Sequence, residues 1–258
     1  MTELTPFEAE SVDRIKAIGA DQEMRDLTAG FLRRSSELQY SYNFFWMGRP
    51  IIQYPQDMAA MQELVWQTRP DLIIETGIAH GGSLIMNASL LALLDMCDAI
   101  TDGTPFDPRS PRRKVLGVDI DIREHNRKAI EAHPMSNRID MLQGSSIAED
   151  ILAQVRDYAA PFKRVLVSLD SNHTHEHVLA ELEAYAPLVT SGSYCIVFDT
   201  IVEDMPEGTY PDRPWSKGNN PKTAVWKYLE THPEFSIDRA MHDKLQITVA
   251  PDGFLKRA

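Results

Sequence analysis

The stretches "RVLVSLDSNHTHEHVLAEL" and "YCIVFDTIVED" carry acids and imidazoles at spacings suited to chemistry on an oxygen atom. Asp170 and His173 lie three residues apart after one apolar run, and Asp199 and Thr200 close a second. Adjacent parallel strands bring their C-terminal ends together, so Asp170 and Asp199 are expected to face one site. Two carboxylates with hydroxyl, carbonyl and water oxygens suit a hard cation such as Mg²⁺. Such an ion holds a substrate diol and stabilises an alkoxide. His173, in the turn, is the natural base, because imidazole changes charge near neutral pH. His175 and His177 fall on the following helix, where caps and surface roles are ordinary. A rival reading takes His173, His175 and His177 as the zinc ligands of a hydrolase.

That rival leaves a second constellation unused. In "PDLIIETGIAHGGSL" an apolar run ends at Glu75, and Gly77, Gly81 and Gly82 follow. The spacing E-x-G-x-x-x-G-G-S departs from the G-x-G-x-x-G of dinucleotide folds, where helix N–H groups face a pyrophosphate. A carboxylate at the strand end repels a pyrophosphate but suits a cationic ligand. S-adenosylmethionine, with its ammonium and sulfonium, fits. Asp119, in "KVLGVDIDIREHN", is placed to accept from two ribose hydroxyls, while Asp121 is a candidate helix cap. In "DMLQGSS", Gln143, Gly144 and Ser145 stand where adenine edges are read. A plain turn followed by a cap at Ser146 explains that segment equally well, and the glycines by themselves are compatible with a tight strand-to-helix turn.

These residues need a parallel sheet to gather them. Candidate strands are Leu72–Glu75, Val115–Ile120, Ile139–Gln143, Val165–Leu169 and Tyr194–Asp199. Candidate helices are Gly82–Met96, Arg123–His133, Ala148–Tyr158 and His175–Tyr185. Short apolar strands alternating with amphipathic helices predict a sheet covered on both faces. Upstream, residues 6–40 read as two helices, the second presenting Met24, Leu27, Phe31 and Leu38. An aromatic loop follows, and then a helix from an Asp57 cap to Thr68. Downstream, a helix over Pro221–His232 precedes two strands, Phe235–Asp238 and Leu245–Ala250. With no helix evident between them, they predict an antiparallel edge hairpin. The Pro- and Gly-rich segments Asp98–Arg113 and Val202–Asn220 read as long loops, the second a lid with Tyr210 and Trp215 as apolar walls.

The whole-chain bounds agree. The 258 residues, 43 % of them hydrophobic, suffice for one large α/β domain with a core of its own. With 26 basic and 38 acidic residues the net charge is −12, which argues against a nucleic-acid partner. Cys97 and Cys195 lack metal-ligand spacing and suit a reducing cytosol, so a cytoplasmic location is expected. The start "MTELTPFEAESVDRIKAIG" is too polar for a signal peptide. No run approaches the roughly 18 apolar residues of a membrane span, so no membrane partner is expected.

Six segments, "YNFFWMGRPIIQYPQD", "IIETGIAHGGSL", "VLGVDIDIREHNR", "LDSNHTHEHVLAELEAYAPLV", "GSYCIVFDT" and "RPWSKGNNPKTAV", together resemble the cephalosporin hydroxylase/rhamnosyl O-methyltransferase family. The similarity runs from about Tyr40 to the C-terminus. It implies a Rossmann-like class I S-adenosylmethionine-dependent methyltransferase fold: a mostly parallel sheet with an antiparallel edge hairpin and extra N-terminal helices. Residues 1–56 would form a helical region with an aromatic loop, used in homo-oligomer contacts, and residues 57–258 the methyltransferase domain. Metal-dependent sugar O-methyltransferases of natural-product pathways use a D-x-x-H turn, which carries a metal-binding role to Asp170 and the base to His173. Asp199 matches their second acidic ligand. Thr200 stands where many relatives have another acid or amide, which leaves the third ligand open among Thr200, Glu203 and Asp204.

The resemblance thus implies S-adenosyl-L-methionine bound by Glu75, Thr76, Gly77, Gly81, Gly82, Ser83, Asp119, Ile120, Gly144, Ser145 and Asp170. It implies Mg²⁺ bound by Asp170, Asp199 and Thr200, and a glycosylated small molecule as acceptor. No flavin or haem motif, and no facial triad for iron, supports hydroxylation. The remaining alternative is a non-catalytic S-adenosylmethionine-binding or assembly subunit.

Overall fold

Alternate residues of each central strand feed opposite faces of one sheet, and both faces are covered. On β3 (Leu72–Thr76), Ile73 joins one apolar cluster while Leu72 and Ile74 join the other. The computed structural model describes residues 4–258. The chain begins with α1 (Pro6–Ala20) and α2 (Gln22–Glu37), then a hairpin of β1 (Phe44–Trp46) and β2 (Arg49–Ile51), then α3 (Pro55–Thr68). After β3 come α4 (Gly82–Asp102), β4 (Lys114–Asp119), α5 (Glu124–Glu131), β5 (Ile139–Gln143), α6 (Glu149–Ala159), β6 (Val165–Leu169), α7 (His175–Tyr185) and β7 (Tyr194–Val197). A short 3₁₀ turn (Thr200–Asp204), α8 (Pro221–Leu229), β8 (Phe235–Ile237), α9 (Arg239–Leu245) and β9 (Phe254–Arg257) complete it.

The seven-stranded sheet has the order β5-β4-β3-β6-β7-β9-β8. The pairs β3–β4, β4–β5, β3–β6 and β6–β7 are parallel, while β9 runs antiparallel to both β7 and β8. From β3 the chain winds outward through β4 and β5, then crosses back to β6. That reversal opens a crevice beyond the carboxyl ends of β3, β4 and β6, where α/β folds bind their ligands. Helices α3, α4 and α9 cover one face, and α6, α7 and α8 the other.

The structure departs from the sequence expectations in five places. The aromatic loop contains the β1–β2 hairpin, closed by Met47 and Gly48, both at positive φ as a two-residue type I′ turn requires. Asp57 does not cap α3. The helix starts at Pro55, and the buried Asp57 carboxylate accepts from Thr248 Oγ1 and from Val249 N (3.1 Å). Helix α4 runs on to Asp102, so the expected loop begins only at Gly103. The predicted strand Leu245–Ala250 is irregular. The edge hairpin pairs β8 with Phe254–Arg257 instead, and α9 lies between them. Finally, α4 is long and apolar enough to pass for a membrane span, contrary to expectation. Its apolarity has another cause: it packs against the sheet, with Leu84, Ile85, Ala88 and Leu91 in the core.

In α2, Leu32 and Ser35 point inward, whereas Met24, Leu27 and Phe31, and Leu38 just past the helix, are exposed. Helix α1 buries no residue fully and lies along α9.

Candidate active site

The glycine turn after β3 is shaped by close contacts within the chain. Gly77 has φ +88°, and a Cβ there would stand 2.0 Å from the Asp170 carbonyl oxygen. A Cβ on Gly82 would meet the Pro50 carbonyl oxygen at 2.2 Å, so the β1–β2 hairpin also needs a bare backbone at that point. The turn is braced from outside. Arg49 donates to the His80 carbonyl and to Asn126 Oδ1, and Asn126 donates to the Ala79 carbonyl (2.9 Å). Ile78 N (2.7 Å) and Ala79 N (3.2 Å) both donate to Asp119 Oδ2, so the end of β4 holds the turn open.

Glu75 sits at the strand end as expected but is almost wholly buried. Ser83 donates to its Oε1, and Asn87 Nδ2 donates to its Oε2 at 2.9 Å. Burial pushes its carboxyl up to about 7 against the lowering effect of these two hydrogen bonds. Thr76 is fully buried, and its carbonyl accepts from Asp170 N (2.9 Å). Both residues therefore build the turn and are withdrawn from the crevice surface. Asp119 is only partly buried, and beside it Ile120 is 73 % exposed. Asp121 N also donates to Asp119 Oδ1 (3.0 Å), so the carboxylate keeps about one acceptor site, which beside an apolar side chain suits a ribose hydroxyl and a flat base. Gly144 N donates to the Asp119 carbonyl (2.9 Å), which brings the Gly144–Ser145 turn alongside.

On the other side of β3, Asp170, His173 and Asp199 converge, with one ligand atom from each within 4.8 Å of the others. His173 Nε2 lies 3.0 Å from Asp199 Oδ2. Asp199 adopts a left-handed backbone, φ 55° and ψ 21°, which ends β7 and starts the 3₁₀ turn. Such a conformation at a non-glycine residue costs energy and is tolerated best by Asn and Asp. Burial raises the Asp170 carboxyl well above its ordinary range, and the Asp199 charge, followed by those of Glu75, Glu181 and Asp57, pushes it further the same way. Acidic and oxygen-rich, the cluster fits a divalent cation of the Mg²⁺ type.

The three histidines do not share a metal. His175 Nδ1 meets Thr223 Oγ1 at 2.8 Å, and His177 Nε2 meets Ser146 Oγ (3.0 Å) and Ser171 Oγ (3.2 Å). Only His173 reaches the acidic cluster, so the zinc reading fails on geometry. Ser146 does not cap α6, whose first flanking residue is Ala148, and Asp121 does not cap α5, which starts after Arg123. The candidates for a third ligand are all engaged elsewhere. Thr200 is fully buried and donates to the Pro251 carbonyl (2.6 Å), Glu203 accepts from Gly218 N (2.8 Å) and Asn220, and Asp204 pairs with Lys222.

The loop after the 3₁₀ turn crosses the cluster. The Trp215 ring packs edge-on against the His173 ring with centroids 4.7 Å apart, and Arg213 lies over the other ring system of the pair at 5.2 Å from the Trp215 centroid. Tyr210 packs on the apolar cluster of Leu32, Tyr54, Ile201 and Met205. One residue escaped the sequence reading: Gln53, just past β2, donates from Nε2 to Asp170 Oδ2 (3.3 Å). Its only signal was its place in the family-like segment "YNFFWMGRPIIQYPQD".

The profile of the rhamnosyl O-methyltransferase/CmcI family matches residues 38–258, which spans every strand of the sheet. The chain belongs to that family. Curated relatives include the rhamnosyl O-methyltransferase of Mycobacterium leprae (strain TN), 30 % identical over 214 residues, covering 82 % of either chain. The rhamnosyl O-methyltransferase of Mycobacterium bovis (strain BCG / Pasteur 1173P2) is 30 % identical over 209 residues, covering 78 % of this chain and 73 % of its own. Among solved structures, an apo CmcI aligns with TM-score 0.57 at 20 % identity, and a CmcI with Mg and SAM with TM-score 0.55 at 18 %. Each covers 84 % of this chain and 77 % of the other. At those identities the likeness is one of fold, and it bears out the expected architecture for this rhamnosyl O-methyltransferase/CmcI family member.

Proposed function

We propose that this chain transfers a methyl group from S-adenosylmethionine to a sugar hydroxyl of a glycosylated small molecule, assisted by a divalent ion. The observation that carries the reading is the convergence of Asp170, His173 and Asp199 beside the Gly77 turn. When bound, the sulfonium donor supplies an activated methyl group and the ion supplies positive charge that makes an adjacent hydroxyl more acidic. The chain's own residues do the rest. The Gly77–Ser83 turn, Asp119 and Ile120, with Gly144 and Ser145, hold the donor in the crevice. Asp170 and Asp199 hold the ion. His173 takes the acceptor's proton, and the Asp199 carboxylate, 3.0 Å from Nε2, orients its ring. Trp215 limits the swing of the imidazole and, with Tyr210, walls the acceptor space. Positioning contributes much of the acceleration in such a two-substrate transfer.

The test is mass spectrometry of a glycoside panel incubated with the protein and the donor, with Mg²⁺ or with a chelator. Gain of one methyl group only when the ion is present supports the proposal. Donor binding without methylation of any glycoside favours the assembly-subunit reading instead. The family likeness supports a sugar-bearing acceptor, and the exposed Phe7, Leu27 and Leu38 support self-association in a homo-oligomer, which sedimentation analysis measures directly.

A further inference from the structure

Gln53 is 6 % exposed, and its Oε1 has no hydrogen-bond partner among the described residues. It borders a small cavity that it shares with Asp57, Glu75, Asn87 and Asp170. The polar atoms of that cavity are mostly acceptors. Ser83 and Asn87 already give protons to Glu75, and Asn87 Oδ1 is itself without a donor. An amide oxygen stranded among acceptors pays a desolvation cost of about 1–3 kcal/mol. Half a turn about the last side-chain torsion exchanges the amide oxygen and nitrogen, which differ little in shape. The NH₂ group then donates into the acid-lined cavity, but the oxygen comes to face Asp170 Oδ2 at the present 3.3 Å separation. Two oxygens at that separation repel unless a proton or a metal cation lies between them. Neighbouring ligands of an octahedral Mg²⁺ with bonds of 2.0–2.1 Å stand about 3 Å apart. With an ion present the exchanged orientation is satisfied at both ends, and the ion takes the place of a proton shared between Asp170 and the amide oxygen. The side chains expected to complete the ligand set, Thr200, Glu203 and Asp204, are turned to other partners.

We propose that Gln53, through its side-chain oxygen, is the further protein ligand of the divalent ion held by Asp170 and Asp199. The inference rests on the reading that these two acids hold such an ion. It makes the segment after the β1–β2 hairpin part of the metal centre.

Mn²⁺ titrated into the purified full-length chain and followed by electron paramagnetic resonance gives the affinity, and water proton relaxation counts the waters left on the ion. Gln53→Leu is expected to weaken Mn²⁺ binding by about 10- to 100-fold, the scale seen when a metal site loses a supporting group, and to add one coordinated water. Gln53→Glu, which keeps the shape and supplies a charged oxygen, is expected to bind Mn²⁺ more tightly than the natural chain. A residue serving only as donor to Asp170 gives the opposite sign, because a glutamate there repels the aspartate. Weakened binding in Gln53→Glu, or an unchanged water count in a folded Gln53→Leu, overturns the proposal. Loss of binding in Asp199→Ala with full retention in Gln53→Leu overturns it alone. A natural chain that takes up no Mn²⁺ overturns the ion reading and this inference together.

Discussion

The α-carbon of Gly77 and the carbonyl oxygen of Asp170 approach so closely that a methyl group between them would stand 2.0 Å from that oxygen. The turn after β3 and the turn after β6, proposed to hold donor and ion, are therefore fastened to one another, also by Asp170 N donating to the Thr76 carbonyl (2.9 Å). Gly77→Ala forces a left-handed alanine against a fixed backbone, and each of these two effects costs about 1–2 kcal/mol or more. A fall in unfolding free energy of at least about 2 kcal/mol is expected, with donor and ion affinity both reduced. Chemical denaturation and calorimetry measure these, and an alanine variant with natural stability and affinities contradicts the coupling.

His173 stands between the Asp199 carboxylate and the Trp215 ring. His173→Ala is expected to lower turnover by roughly 10²–10⁴-fold, the usual contribution of a positioned base, and to leave donor affinity within about threefold. Single-turnover kinetics alongside titration calorimetry separate the two effects. Natural turnover in the alanine variant removes His173 as the base.

In the proposed mechanism Trp215 is a wall of the acceptor space and exchanges no proton. Trp215→Phe keeps an aromatic edge near the imidazole and should retain most activity. Trp215→Ala frees the imidazole and should cost about tenfold in kcat/KM, in line with about 1 kcal/mol for an aromatic pair plus lost acceptor contact. Equal kinetics for the two variants would show that the loop does not position His173.

Glu75 offers a test through stability. Burial lifts its carboxyl from 4.5 to about 7, so between those pH values the folded chain holds a proton that the unfolded chain has released. Stability from this group is present below the lower value and is lost as pH rises through the upper one, by an amount on the order of 3 kcal/mol. Asp57, also raised to about 7 by burial, adds a slope of the same sign. Glu75→Gln keeps the volume, and Asn87, whose Oδ1 is unpaired, can turn to accept from the new amide. The variant should melt higher than the natural chain at pH 8, with a shallower fall of melting temperature between pH 5 and pH 7. Melting curves recorded in chelator without donor test this, and an unchanged slope contradicts it.

Much of the fold was legible because buried parallel strands are short, continuous apolar runs. Val165–Leu169 coincides with the fully buried β6; Ile139–Gln143, more polar and only partly buried, still coincides with the edge strand β5, and His175–Tyr185 with α7. The edge hairpin was legible in kind but misplaced. Leu245–Ala250 is apolar enough for a strand, yet Phe254–Arg257 takes the place beside β7 and leaves the earlier segment to wrap over Asp57. Burial alone does not distinguish a strand from a packed loop. In the site, Asp170, His173 and Asp199 announced themselves by lying at strand ends, whereas His175, His177 and Thr200 carried the same signal and turned elsewhere.

Sequence by itself determined which strand ends bear acids and glycines, because that information is local: a run of apolar residues, its last polar residue and the turn chemistry after it. Tertiary structure decided which of those groups meet. Gln53 reaches Asp170 across 117 positions of chain, and Glu75, read as a ligand group, accepts from Ser83 and Asn87. The direction of a side chain at a strand end depends on what packs against it, and for Glu75 and Gln53 the packing comes from elements that no spacing rule connects.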